Sequence, residues 1–570
     1  MAKLRETPFS LNLDEATSSN LLRVFTVLVS YFDSETQSLK VEQLGSLNVP
    51  VVDAQHLFDE LTGLCFKLGV PLENLLAMLM DSASTMRGDK SGLETRIREI
   101  YPQLADIDGD TCHHVHNIVK RFTKHFEHYI EGLFRCIYTD FKTSADSMEM
   151  LKDISYHLGL TFRKPVNYIA ARWLSILDTS LAFTYMQFAY VLYYQAVASK
   201  ATKQGLRKVY TEYKKGKNTE ETDKEQRRLE KRQKYVEECD ALILDGASQE
   251  SIEAIRSVQT NIKKKFVNGT AQGKVRKMKI VNKLIMNRKY VDMLTGLYET
   301  ILTIFKKYVM LFQQEKPLIH KIFPEQLKLV KTFFSYFVKP EALSKCGNAA
   351  QVKTLDLSAK NILPYKLIFL GSRARLLFKK GKDEDFMDKV VKAYVDCGKY
   401  IQQKLPLENK TLERVSYIDP QMVFSSSTEA MSKLLELPES FANVLKGEEL
   451  NEYATEIRLL CNDRTLPSPL DEDEKEVDCL TWWRFLAKQY PTSFKMIVAI
   501  LSIFHGPRVE SSFSMMSDFI DPKCGRMNIA TYDSIQTIKY SLLANKVRML
   551  FFIPNHNYGG VFCVPFFVIS

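Results

Sequence analysis

PFSLNLD, residues 8–14, alternates apolar and polar side chains and stops at an acid, which predicts a β-strand ending at Asp14. Downstream, RVFTVLVSYF (23–32) is rich in β-branched and aromatic residues and predicts a second strand. SLKVEQLGSL (38–47) predicts a third, antiparallel neighbour. From Asp53 the spacing changes. Ala54, Leu57, Phe58, Leu61, Leu64, Cys65 and Leu68 fall on one helical face. Pro71 and Asn74 mark the return to a short apolar strand, Leu75–Met80, that ends at Asp81. Gly92–Ile100 predicts a helix stopped by Pro102, a short segment leads to Cys112, and a long helix follows from about Asn117. The expected order is β-β-β-α-β-α-β-α, a mixed α/β fold.

Between about residues 145 and 470 helical periodicity dominates, as in Met186–Ala198, Tyr290–Phe312 and Glu325–Phe337. A largely helical domain inserted into the first is expected there. Two stretches are strongly basic. The one from Lys203 to Lys234 is interleaved with glutamates and reads as a solvated helix face. The one from Lys263 to Lys289 has few acids and fits a phosphate-contacting surface, with Lys274, Arg276 and Lys277 near its middle. DEDEKEVD (471–478) forms an acidic linker before a compact apolar segment. Within that segment, FKMIVAILSIF (494–504) is hydrophobic nearly all round and must be buried in a core or an interface.

The 570 residues are enough for two or three domains. Hydrophobic content of 45% and charged content of 26% belong to a soluble globular protein. A net charge of +10 suits a polyanionic partner. Ten scattered cysteines without a CxxC pair point to reduced thiols. The first twenty residues carry no apolar signal core. The tail from Met549 is apolar but broken by prolines and glycines, so no membrane span is expected.

Asp14 and Asp81 both sit at expected strand ends. Carboxylates meeting there repel unless a cation lies between them, and Mg²⁺ or Mn²⁺ takes such oxygen ligands. Glu510, at the head of a helix after Gly506 and Pro507, is placed to supply a third acid. Against this, strand-end aspartates commonly cap turns and helices. Cys112, His113, His114 and His116 are spaced too tightly for a closed zinc site. Trp173 is either a core side chain or a platform for an unpaired base. Trp482 and Trp483 are adjacent and point in different directions on a helix, one expected inside and the other against a partner.

The strings LNLDEAT (11–17), MLMDSASTMRGDKSG (78–92), DTCHHVHN (110–117), ARWLS (171–175), and WWRFLAKQYP (482–491) with HGPRVESSFS (505–514) resemble, in order, the motifs of hAT-superfamily DNA transposases. The resemblance spans about residues 8–544 and implies an RNase H-like domain interrupted by a helical insertion. It divides the chain into 1–144, the helical insertion 145–470, a dimerisation region 471–545 completing the core, and an atypical tail 546–570. It implies a catalytic triad of Asp14, Asp81 and Glu510 holding Mg²⁺ or Mn²⁺ for DNA cleavage and strand transfer in the nucleus. Cys112, His116, Arg172 and Trp173 would contact DNA. Trp482, Trp483, Phe494, Ile497, Ile500 and Phe513 would join a homodimer. The family's upstream zinc-finger module has no counterpart before residue 8, so sequence-specific recognition of transposon ends is not expected. A non-catalytic scaffold that binds DNA or protein is the alternative.

Overall fold

The computed structural model describes residues 2–17, 22–170, 174–198, 245–425, 427–509 and 529–545. The fold is mixed α/β, with one small sheet and many helices. The strands β1 (Phe9–Thr17), β2 (Arg23–Asp33), β3 (Ser38–Asn48) and β4 (Leu75–Leu79) lie in the order β3-β2-β1-β4. β1 pairs antiparallel with β2, with Asp14 opposite Thr26, and β2 pairs antiparallel with β3. β4 joins β1 in parallel, with Asn12 beside Leu79.

The alternation in β1 sorts its side chains between two layers. Phe9, Leu11 and Leu13 join Phe25, Val27 and Val29 in one apolar cluster. Helices α1 (Ala54–Leu68) and α2 (Leu93–Ile100) cover that side with Leu57, Leu61, Leu93 and Ile97. Asp53 caps α1 by accepting the His56 N–H, and Gly69, at φ +64°, closes it in the left-handed conformation that glycine adopts freely. On the other side Leu28, Phe32, Leu76 and Leu79 face the helical mass. Apolar matter on both sides explains why β2 reads as a near-continuous hydrophobic run.

Two expectations after β4 are corrected. No further strand forms before Cys112. Ala105 and Asp110 donate to Leu76 and Met80 carbonyls beside β4, but the Asp106 carboxylate accepts the Asp108 N–H and Asp108 turns to φ +62°. The turn breaks the ladder between those two bonds. The following helix, α3 (Thr111–Lys124), starts six residues earlier than Asn117. Asp110 caps it, accepting the Cys112 N–H at 2.9 Å.

The helical part is built around α6 (Ser175–Ala198), which is buried along most of its length. Around it lie α4 (Tyr129–Phe141), α5 (Ala145–His157), α7 (Gln249–Val267), α8 (Ala271–Ile280) and α9 (Arg288–Phe312). Phe141 stacks edge-on against Tyr193, and Phe183 lies parallel to Tyr190. Helices α10 (Ile322–Ser335) and α11 (Glu384–Lys404) extend this layer. One apolar core runs from Leu28 and Phe32 through α3 and α9 to Ile497 and Ile500, crossing residues 145 and 470. No helix among the described residues is long and apolar enough to cross a membrane.

The chain then returns to the sheet. Helices α12 (Cys479–Leu486) and α13 (Pro491–Leu501) pack together, and Phe494 meets Phe32 of β2 edge-on with ring centres 5.8 Å apart. Helix α14 (Ile529–Ala544) lies on β3, where Asp533 accepts from the Gln43 side chain and the Ser46 N–H, each at 2.7 Å.

Between α13 and residue 509 the chain is held against both β1 and the end of α9. A Cβ added at Gly506 would stand 1.9 Å from the Phe312 carbonyl oxygen. Gly506→Ala therefore forces the turn away from α9, and a loss of roughly 1–3 kcal/mol is expected. Urea denaturation measures it. A midpoint equal to that of the unsubstituted chain would contradict the tight contact.

Candidate functional site

Ser10, Asn12 and Asp14 follow each other at a spacing of two on β1 and share one face. The first two are buried and anchor the distant segment 502–509. Ser10 Oγ donates to the Ser502 carbonyl at 2.7 Å and accepts the Phe504 N–H at 3.3 Å. Asn12 accepts the Val509 N–H at 3.0 Å and donates to the Leu79 carbonyl at 3.0 Å. The third, Asp14, is half-buried and opens on a cleft of about 210 Å³. Asp14 lies inside β1, which runs on to Thr17 instead of ending at the acid, and Asp81 lies two residues beyond the end of β4. Both line the cleft, together with Asp110, His113, Pro507 and Val509.

The second wall comes from the first turn of α3. The Asp110 N–H donates to the Met80 carbonyl at 2.9 Å, which fixes the helix start beside Asp81. His113 then places Nε2 3.4 Å from Asp81 Oδ1, with each side chain about one-third exposed. His114 turns inward, and its Nε2 shares a 3.0 Å hydrogen bond with Ser82 Oγ. Burial pushes His114 down to about 4, so it is neutral at physiological pH. Gly109 permits this approach, since a Cβ there would sit 2.3 Å from Ser82 Oγ. The loop after Asp81 is tied down by Arg87, which bridges Glu94 at 2.8 Å and Asp106 at 3.0 Å.

Asp14 and Asp81, 67 positions apart in the chain, are thus brought to one cleft. Glu510, Arg172, Trp173 and Phe513 lie outside the described residues. Val509, the residue before Glu510, lines the same cleft. Among the described residues no three His, Cys, Asp or Glu side chains are grouped to hold a metal.

The expected DNA contacts are corrected in part. Cys112 is fully buried, and burial pushes its thiol well above the usual range. His116 is buried too, and burial pushes it down to about 4. Neither side chain reaches a surface ligand; His113, three positions before His116, faces the cleft instead. Lys277 is also spent internally, on Asp140 and over the Tyr193 ring. Lys274 and Arg276 are half-exposed, and Arg276 donates to the Thr139 carbonyl at 2.9 Å. The expected dimer residues lie inside this chain. Trp482 and Trp483 are both fully buried, and their indole N–H groups donate to the carbonyls of Pro467 and Ile418. The expectation that one of them faces a partner fails, because each finds its acceptor in the same core. Ile497 and Ile500 are buried and Phe494 half-buried.

Glu15 and Asp110 are cleft acids that the sequence reading passed over, and His113 was weighed there only as a zinc ligand. An acid before a helix signals a cap, and Asp110 is one. Nothing in the string DTCHHVHN says which histidine faces out until the helix start is known. No known protein-family pattern matches this chain, and no curated protein matches it.

His505 completes the packing beneath Pro507. Its Nδ1 accepts the Leu318 N–H at 3.3 Å and its Nε2 faces the Gln314 carbonyl at 3.3 Å, so the neutral Nε2–H tautomer satisfies both. Burial, with Arg508 nearby, pushes it down to about 3. The unfolded chain takes up this proton near pH 6.5, the native state only far below. Stability from this group is therefore full above pH 6.5 and lost as pH falls toward 3. His505→Gln keeps a donor and an acceptor but does not titrate. Relative to this variant, the natural chain should lose about 2 kcal/mol between pH 7.5 and pH 5. Urea midpoints of both proteins across that range measure the difference. A constant gap would show that His505 is not held neutral.

Proposed function

We propose that this chain is a hAT-transposase-like protein with an RNase H-like core, which cleaves and joins DNA in the nucleus using a divalent cation. The observation that supports the reading is that Asp14 of β1 and Asp81, just past β4, line one cleft. The donors there are carboxylate oxygens, which fit Mg²⁺ or Mn²⁺, ions held in such sites by one or two carboxylates plus water. Asp14 and Asp81 would hold the ion, with Glu510 as the third acid. When bound, such an ion activates an attacking oxygen and stabilises the leaving one in phosphoryl transfer.

The chain's own residues do the positioning. Ser10 and Asn12 hold the segment leading to Glu510 beside β1. Asp110 sets the start of α3, and His113 beside Asp81 orients that carboxylate at the cleft mouth. A non-catalytic DNA- or protein-binding scaffold is the second reading.

Nicking of supercoiled DNA by the full chain with Mn²⁺ separates the two readings. Asp14→Asn and Asp81→Asn should each lose more than the roughly 10–100-fold typical of outer-shell partners of a metal site. Mn²⁺ should also raise the melting temperature of the natural chain and not of Asp81→Asn. Equal nicking by all three proteins would remove the proposed site.

A further inference from the structure

Between Glu253 and Asp292 the chain carries eleven lysines and arginines and no acid. This stretch folds into α7, a short turn and α8, then enters α9. Ile255, Ile262 and Phe266 bury one side of α7, which packs against α5 and α6. Arg256, Arg276 and Lys283 donate to Gln259 and to the Thr139 and Tyr129 carbonyls, and the other eight cations divide into two groups. Lys265 pairs with Asp146 at 2.9 Å, Lys277 with Asp140, Arg288 with Asp292 at 3.5 Å and Lys289 with Asp383. Lys263, Lys264, Lys274 and Lys279 have no ion-pair partner among the described residues.

Those four lysines are half-exposed or exposed. The exposed positions around them include Ser257, Thr260, Asn261, Asn268, Thr270 and Gln272, uncharged hydrogen-bonding side chains, and Arg256, with Glu253 as the exposed acid one turn before Ser257. On α7, residues 257, 260, 261 and 264 form one stripe at helical spacing. Lysine with Ser, Thr, Asn and Gln is the set that contacts phosphate oxygens. Helix α7 is about 28 Å long, enough to follow several phosphates.

Other occupants fit less well. Every aromatic side chain of α7 and α8 amounts to the buried Phe266, so no ring is exposed to stack a single-stranded base. Val267 and Val275 are the large apolar side chains exposed there, too little for a membrane wedge or an apolar peptide. Among the described residues no acid pairs with these four lysines. Residues 199–244 carry thirteen lysines and arginines against nine acids. Within the acidic linker, Glu476 pairs with Lys321 and Asp473 with Lys475 of the same linker.

We propose that the outer face of α7 and α8 docks the phosphodiester backbone of duplex DNA without reading its sequence, an inference that rests on the DNA reading above. The surface lies outside the Asp14–Asp81 cleft and supplies affinity rather than chemistry. Fluorescence anisotropy of a labelled duplex of arbitrary sequence, titrated with the full chain across a salt series, tests it. A quadruple variant, Lys263→Gln, Lys264→Gln, Lys274→Gln and Lys279→Gln, should bind at least about tenfold more weakly, with a log–log salt slope shallower by about three to four. These positions are on the surface, so its melting temperature should match that of the natural chain. A quadruple variant with the natural slope and affinity overturns the docking surface and leaves the DNA reading standing. Failure of the natural chain to bind duplex even at low salt overturns both. Tighter binding of single-stranded RNA than of duplex overturns the choice of partner.

Discussion

Everything at the cleft depends on four hydrogen bonds made by two buried polar side chains of β1. Ser10 and Asn12 are buried on a sheet face shared with Leu28, Ser30 and Thr26, and each would cost about 1–3 kcal/mol if left unpaired. They are satisfied by β4 and by a segment 492 to 497 positions away in the chain. That demand fixes the segment's register. A shift of one residue in β1 would turn Ser10 and Asn12 into the α1–α2 layer and carry Asp14 away from Asp81. The same alternation that builds the sheet therefore aligns the acid with its neighbours.

Charge is handled differently on the two sides of α3. Toward the core, histidines are kept neutral by burial, and His114 and His505 use their ring nitrogens to hold backbone and hydroxyl groups. Toward the cleft, Asp14, Asp81, Asp110 and His113 line one opening, with His113 beside Asp81. Asp110 serves both sides, since it caps the helix and also lines the cleft. The buried bridges from Arg87 to Glu94 and Asp106 tie down the loop that leaves Asp81, so the acid does not depend on a free-swinging segment.

In the helical region, neighbours rather than local composition sort the cations. Lys277 and Lys279 are two residues apart, yet Lys277 meets Asp140 from α4 and is lost to the interior, whereas Lys279 is exposed. A net charge of +10 says nothing about this division. The tryptophans of α12 follow the same logic: adjacent residues with divergent directions both found carbonyl acceptors within one core.

Period and punctuation were enough to read the four strands, the helices α1, α2, α6 and α9, and Asp81 as an acid just past a strand, but not the end of β1, which runs three residues beyond Asp14. These are local consequences of backbone geometry and of which face each residue type can bury. The start of α3 was not legible, because a capping carboxylate and a turn at Asp108 compete on equal local terms with a continuing strand. Nor was the choice of His113 over His116, since a shift of the helix start re-aims every side chain by about 100° per residue. Only the tertiary structure decided which acids meet, which cations remain on the surface and which aromatics are core. Those outcomes are set by contacts between residues hundreds of positions apart, and no local pattern encodes the identity of a distant neighbour.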